Sequence, residues 1–270
     1  MAAITRAFIK TREGLIHYVT AGAGDPVLLL HQTPRSWDEY RDVIPLLAEN
    51  FSVIAMDTLG FGDSEKPSTP SSVEGYGRAV VAFLDALGIE RTSIVGHHTG
   101  GVVAVEVAAT HPDRVNRLVL SGTTCVDEEG RRIAAEWPPI DLVEFSADGS
   151  HLMRLWQKRM SYYPPDRPDL LHRLVLDCLR VIDRVEDGHV AVDTYHMEDR
   201  LPKIVAPVLL VCGKDDWASY PDQDRLLSYL PHAERVDVEG AGVPLPDHMP
   251  ERFAEIVTKF LLTESPGFRE

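Results

Sequence analysis

The sequence predicts an α/β fold: a mostly parallel central sheet with helices on both faces and a helical segment inserted between two core strands. Three observations point there. Short apolar runs of strand length alternate with helical patterns at both ends of the chain, which is the signature of a parallel sheet covered on two sides. Some of these runs, such as residues 27–30, are apolar throughout, as a strand buried on both faces must be. The alternation then stops between Ser121 and Ala206 and resumes beyond it.

In chain order, strand patterns at 7–10 and 15–20 flank a turn at Gly14, and the Ala-Gly-Ala-Gly stretch at 21–24 leads into a strand, so it reads as a turn and not as a dinucleotide loop. The strand at 27–30 follows. A helix is expected over 37–48, opened by Ser36 with Glu39 as a capping box. A strand at 51–56 and a Gly- and Pro-broken loop over 58–70 lead to a second box, Ser71 with Glu74, opening a helix to Leu87 that Gly88 stops. Strand 92–95, a glycine-bounded turn at 96–101, helix 102–111 and strand 117–120 continue the pattern. After the interruption come strand 208–212, helix 223–230, strand 234–238 and a helix over 250–262 with Pro250 at its first position. The tail from Thr263 is expected to fray. Residues 1–122 and 207–270 therefore form the core, and residues 123–206 form a helical lid.

Composition narrows the function. The chain has 270 residues with 44% hydrophobic and 26% charged, which is ordinary globular composition and excludes a disordered or fibrous protein. No apolar run approaches the ~20 residues that span a bilayer, and residues 1–10 lack a secretory pattern. A net charge of −15 repels phosphate backbones and anionic lipid, which argues against nucleic-acid and membrane partners. Cys125, Cys178 and Cys212 are odd in number and lack metal spacing, so a reduced, cytoplasmic protein is expected. A homodimer is compatible with this surface.

The chemistry concentrates in Val95-Gly96-His97-His98-Thr99-Gly100-Gly101, between a strand and a helix with glycines at both ends of the turn. That is the setting of a nucleophile elbow, G-x-S-x-G, which thrusts its central side chain above the sheet. Here the central residue is His98. Elsewhere stand His31-Gln32-Thr33-Pro34-Arg35-Ser36-Trp37 and Asp57-Thr58-Leu59-Gly60-Phe61-Gly62-Asp63-Ser64. With these motifs the chain resembles an α/β-hydrolase, and its front half is similar to the epoxide hydrolase and haloalkane dehalogenase branch. The resemblance covers nearly everything outside the lid.

The resemblance implies a nucleophile at the elbow, an acid after the next-to-last strand and a histidine after the last. Asp216, in Gly213-Lys214-Asp215-Asp216, fills the acid position. The histidine position reads Gly240-Ala241-Gly242-Val243, and valine can neither take nor give a proton. Gln32 replaces a glycine of the family's first motif. Two readings compete: a decayed site that only binds a small molecule, or a compensated one. In the second, the longer imidazole of His98 reaches into the space of the missing histidine and meets Asp216. The pair then acts as a general base on water, with the backbone N–H groups of Thr33 and Thr99 as the oxyanion hole. The expected substrate is a small, partly apolar molecule, and no cofactor is expected; a cofactor-free lyase is the third reading.

His97 should point down into packing while its neighbour points up. His31, Gln32, Trp37, Trp156, Tyr162, Tyr163, His196 and His248 are the expected substrate-binding residues, with loop bracing the competing role for His31 and a solvated helix start that for His248. Ser64, Thr99 and Cys125 are substitute nucleophiles without an activating base beside them in sequence. A metal set of His31, His98, His248 and a carboxylate lacks diagnostic spacing.

Overall fold

The computed structural model describes residues 3–263, so the tail expected to fray lies, past Thr263, outside the described residues. Eight strands form one sheet: β1 (Thr5–Lys10), β2 (Leu15–Ala21), β3 (Pro26–Leu30), β4 (Ser52–Met56), β5 (Thr92–His97), β6 (Val115–Ser121), β7 (Val208–Gly213) and β8 (Glu234–Val238), in the order β1-β2-β4-β3-β5-β6-β7-β8. β1 pairs antiparallel with β2 and β2 antiparallel with β4; every other pairing is parallel. Leu30 lies opposite both Met56 and Gly96, and His97 opposite Ser121, so the carboxyl ends of the central strands share one edge. In open parallel sheets that edge is where ligands bind.

Period-two alternation along each central strand feeds two cores. Leu28, Leu30, Ile94, Leu118, Leu120 and Leu210 join α2 (Val73–Leu87) and α3 (Thr99–Thr110) on one face, after the short α1 (Ile44–Leu47). Val27, Leu29, Val95, Val119, Leu209 and Val211 face the other way, onto α1 and the C-terminal helix. Between β6 and β7 run α4 (Glu128–Ala134), α5 (Ser150–Arg159), α6 (Pro168–Arg180) and α7 (Asp187–Asp193). After β7 come α8 (Gln223–Tyr229), α9 (Leu245–His248) and α10 (Pro250–Leu262), the last with Pro250 at its start.

The β6–β7 insertion has a small apolar core of its own around Leu155, Leu170, Leu174 and Cys178. Charged groups tie it to the main core. Arg35, completely buried after β3, donates to Asp177 of α6 at 3.0 Å and to Asp247 of α9. Arg173 of α6 reaches Asp38 at 2.8 Å and Asp42 at 2.9 Å. No described helix is long and apolar enough to cross a membrane.

Four local expectations need correction. The helix over 37–48 is broken into a 3₁₀ turn (Trp37–Tyr40) and α1, because Pro45 has no N–H to bond the carbonyl of residue 41 and its ring would collide with that carbonyl. Ser36 does cap that turn, accepting from the N–H of Asp38 at 3.3 Å, but Glu39 does not reach back to it; its carboxylate takes the backbone and side-chain N–H groups of Gln32. The cap of α2 is Ser72, one residue later than expected, accepting from the N–H of Gly75. α3 also starts earlier than expected, at Thr99, because the elbow turns directly into it.

Candidate active site

His98 sits at the turn between β5 and α3 with φ 46° and ψ −114°, the one non-glycine residue of positive φ among those described. Such a backbone costs roughly 1–3 kcal/mol and persists only where the surroundings enforce it. Here they do: a Cβ on Gly100 would lie 2.0 Å from the carbonyl oxygen of Leu30, so only glycine lets helix and strand approach this closely. The N–H of His98 donates to Ser121 at 2.9 Å, and its carbonyl accepts from Gly101 at 2.8 Å.

The two histidines part as expected. His97 turns into the core, where Nε2 donates to the carbonyl of Val243 at 2.8 Å and Nδ1 accepts from the hydroxyl of Ser121 at 2.9 Å. Burial, and then the neighbouring His98, hold its pKa well below the ordinary value, so it is a neutral brace. Its ring meets that of His98 edge-on, 4.5 Å between centroids.

His98 points toward the acid loop after β7. Its Nε2 lies 3.0 Å from Oδ2 of Asp216, a side chain only 1% exposed. The contact has ion-pair length but not the alignment of a full hydrogen bond; such bonds are often loose before substrate binds. Nδ1 lies 3.3 Å from Oγ of Ser219, and Oδ1 of Asp216 accepts from the N–H of Ser219 at 3.0 Å. Gly122, at φ +49°, leaves the room for this meeting: a Cβ there would stand 2.9 Å from Nε2 and 3.0 Å from Oδ2.

His98, Ser219 and Val243 border a cavity of about 450 Å³ between the sheet edge and the insertion. Gln32, Thr33 and Thr99 complete its floor, and Trp137, Tyr162, Arg159 and His189 come from the insertion. The hydroxyls of Thr33 and Thr99 bond each other at 2.9 Å. Among the described residues neither backbone N–H of these two threonines has an acceptor. Beneath Gln32, burial pushes the carboxyl of Glu39 up to about 8 against the pull of Arg35.

Of the eight expected substrate-binding residues, Gln32 and Tyr162 reach the wall. The other six do not. His31 is consumed as a brace, Nδ1 donating to the carbonyl of Gln32 at 2.7 Å and Nε2 accepting from the N–H of Thr58 at 2.9 Å. Trp37 packs on the core beside Arg6, and Trp156 and Tyr163 pack in the insertion's own core. His196 has 64% of its side chain exposed and faces Glu198. His248 ends α9, half-buried and off the wall.

The substitute nucleophiles fare differently. Ser64 is locked, donating to the carbonyl of Asp57 at 2.7 Å and accepting from the N–H of His17 at 2.9 Å. The thiol of Cys125 is fully buried and pushed up to about 12 by that burial. Thr99 reaches the wall but shares its hydroxyl bond with Thr33. The imagined metal set does not assemble. Among the described residues only His17, Asp57 and Asp63 bring three ligand-type groups together. There Arg6 already bonds His17 at 3.0 Å and pairs with Asp63, so a guanidinium takes the cation's place.

Sequence reasoning missed Ser219, His189 and Arg159. Ser219 stands three residues past Asp216, a spacing that means nothing until the loop's turn is known. His189 lies 3.2 Å from Asp141, which Arg159 grips with two bonds of 2.6 and 2.5 Å, and no local motif links these three distant positions.

The family described as alpha/beta hydrolase fold matches residues 25–243, and the chain belongs to it. Two curated relatives come from the branch that its motifs resemble. It is 47% identical over 105 residues to a soluble epoxide hydrolase from a Corynebacterium species, covering 39% of this chain and 37% of that one. It is 40% identical over 120 residues to haloalkane dehalogenase 2 of Mycobacterium tuberculosis, covering 44% and 42%. These matches span about two fifths of each relative's length. The solved enol-lactonase from Burkholderia xenovorans shares the fold over 95% of this chain and 100% of its own, with a TM-score of 0.79 at 21% identity.

Proposed function

We propose that the protein is a hydrolase of small, partly apolar esters or lactones, in which His98 held by Asp216 is the general base and the β6–β7 insertion is a lid over the cavity. The observation that carries this reading is the 3.0 Å approach of Nε2 to Asp216, which leaves Nδ1 on the side of the cavity residue Ser219. A carboxylate at Nε2 favours the tautomer with its proton there, keeps the Nδ1 lone pair free and stabilises the imidazolium that forms. The unpartnered N–H groups of Thr33 and Thr99 supply donors for a developing oxyanion. An apolar wall that includes Trp137, Leu142 and Val190 suits an alkyl or aryl body.

The test uses p-nitrophenyl butyrate. His98→Ala should lower kcat/KM by about 10²–10⁴-fold, the usual worth of a positioned base, and Asp216→Asn should also lower it. A noncatalytic binder would bind butyrate analogues without turnover. Hydrolysis at the wild-type rate by His98→Ala would end this reading.

A further inference from the structure

We infer that Ser219 is the nucleophile that His98 activates, so that the chain carries a Ser–His–Asp relay with its hydroxyl on the β7 loop and its imidazole at the elbow. This rests on His98 being the base. Relative to the family arrangement that the resemblance implied, the roles are permuted: the elbow gives the base, and the acid's own loop gives the hydroxyl.

Four observations support it. Oγ of Ser219 lies 3.3 Å from Nδ1 of His98, while Nε2 of the same ring lies 3.0 Å from Asp216. That is the order of partners a relay needs, at a spacing common before substrate binds. The carboxylate holds both partners, since Oδ1 accepts the N–H of Ser219 while Oδ2 faces the ring. The serine is pinned from behind, its carbonyl accepting Nε2 of the buried Gln223 at 2.8 Å. It borders the cavity, and the other aliphatic hydroxyls there are engaged elsewhere: Thr33 with Thr99 at 2.9 Å, and Thr124 donating to Asp222 at 2.6 Å. Of the wall's aliphatic hydroxyls among the described residues, only that of Ser219 has an imidazole for a partner.

The chemistry balances without a further reactant. As Oγ bonds the acyl carbon, its proton passes to Nδ1, and Asp216 stabilises the imidazolium through Nε2. Collapse of the tetrahedral adduct expels the alkoxide, which takes that proton and leaves as the alcohol. Water then adds to the acyl-serine, giving a proton to Nδ1. Oγ departs, reclaims that proton, and the acid is released.

The experiment is labelling of the full chain with a fluorophosphonate, which bonds phosphorus to Oγ and releases fluoride. One equivalent should attach, mapping by peptide mass to Ser219. Labelling should vanish in Ser219→Ala and slow at least about 100-fold in His98→Ala. Turnover of p-nitrophenyl butyrate should fall about 10³-fold or more in Ser219→Ala. Ser219→Cys should regain a nucleophile, recognised by iodoacetamide alkylation that depends on His98. Label on another residue, or wild-type turnover by Ser219→Ala, overturns the proposal. Absence of label with turnover that still requires His98 also overturns it, and leaves His98 acting directly on water. Absence of both label and turnover ends both readings.

Discussion

A side chain at position 122 would fill the space in which His98 and Asp216 meet. The backbone there is left-handed, at φ +49°, and a Cβ would stand 2.9 Å from the buried Nε2 and 3.0 Å from the carboxylate oxygen. Gly122→Ala should therefore do two separable things. Stability should drop by about 1–2 kcal/mol from the forced left-handed residue, measurable by urea unfolding. Turnover of p-nitrophenyl butyrate should fall by about ten-fold or more, because the ring loses its partner's alignment. A loss of stability with unchanged turnover would show that the pair tolerates displacement. The His98–Asp216 approach itself was legible before any coordinates, because two glycines bracket the elbow and Val243 stands where a proton carrier was expected. Gly122 and Ser219 were not legible. Neither belongs to a motif, and each matters only through where the ends of β6 and β7 bring it.

At the scale of elements, the regular pieces were readable and the joints were not. Short apolar runs, buried on both faces, marked β3 to β7, and Gly88, left-handed at φ 68°, ended α2 where the sequence placed its stop. The segment after β3 went wrong because its helical pattern is interrupted by Pro45 and because Glu39 found a tertiary partner, Gln32, in place of its local one. The buried position of Glu39 has a consequence for pH. Burial raises the Glu39 carboxyl from its ordinary 4.5 to about 8. The folded state thus holds a proton that the unfolded chain has released, and stability falls as pH rises through that interval. The contribution is fully present below about 4.5 and is lost as pH passes about 8. Glu39→Gln removes the titration while keeping an acceptor oxygen for the N–H of Gln32. Urea unfolding of the two proteins between pH 5 and 8 should show the wild type losing stability relative to the variant as pH rises. Parallel curves would show that the carboxylate stays ionised in the fold, balanced by the fully buried Arg35.

Charge acts over the whole molecule, and here composition and cavity agree. The chain carries a net −15, and Glu186, Asp193 and Asp222 all border the cavity. Arg159, the one guanidinium on that wall among the described residues, is gripped at 2.6 and 2.5 Å by Asp141, a carboxylate fully buried with it. Its positive charge is therefore largely cancelled for anything entering. A neutral ester feels little of this field, whereas an anionic one must climb it. Salt decides between them, since the screening length shrinks from about 30 Å at 0.01 M to about 8 Å at 0.15 M. Between those salt concentrations, kcat/KM for the mono-p-nitrophenyl ester of succinic acid should rise several-fold, while that for p-nitrophenyl butyrate stays flat. The opposite slope for the anionic ester would mean that Arg159 reaches past Asp141 and attracts carboxylates, and the neutral, partly apolar substrate class would have to be redrawn around an acid. A flat response from both would place the acyl group beyond the reach of the wall's carboxylates. The sequence could supply the sign of this effect from its charge alone. It could not supply the site, because the partner that neutralises Arg159 stands 18 positions away in an insertion with no motif to link them.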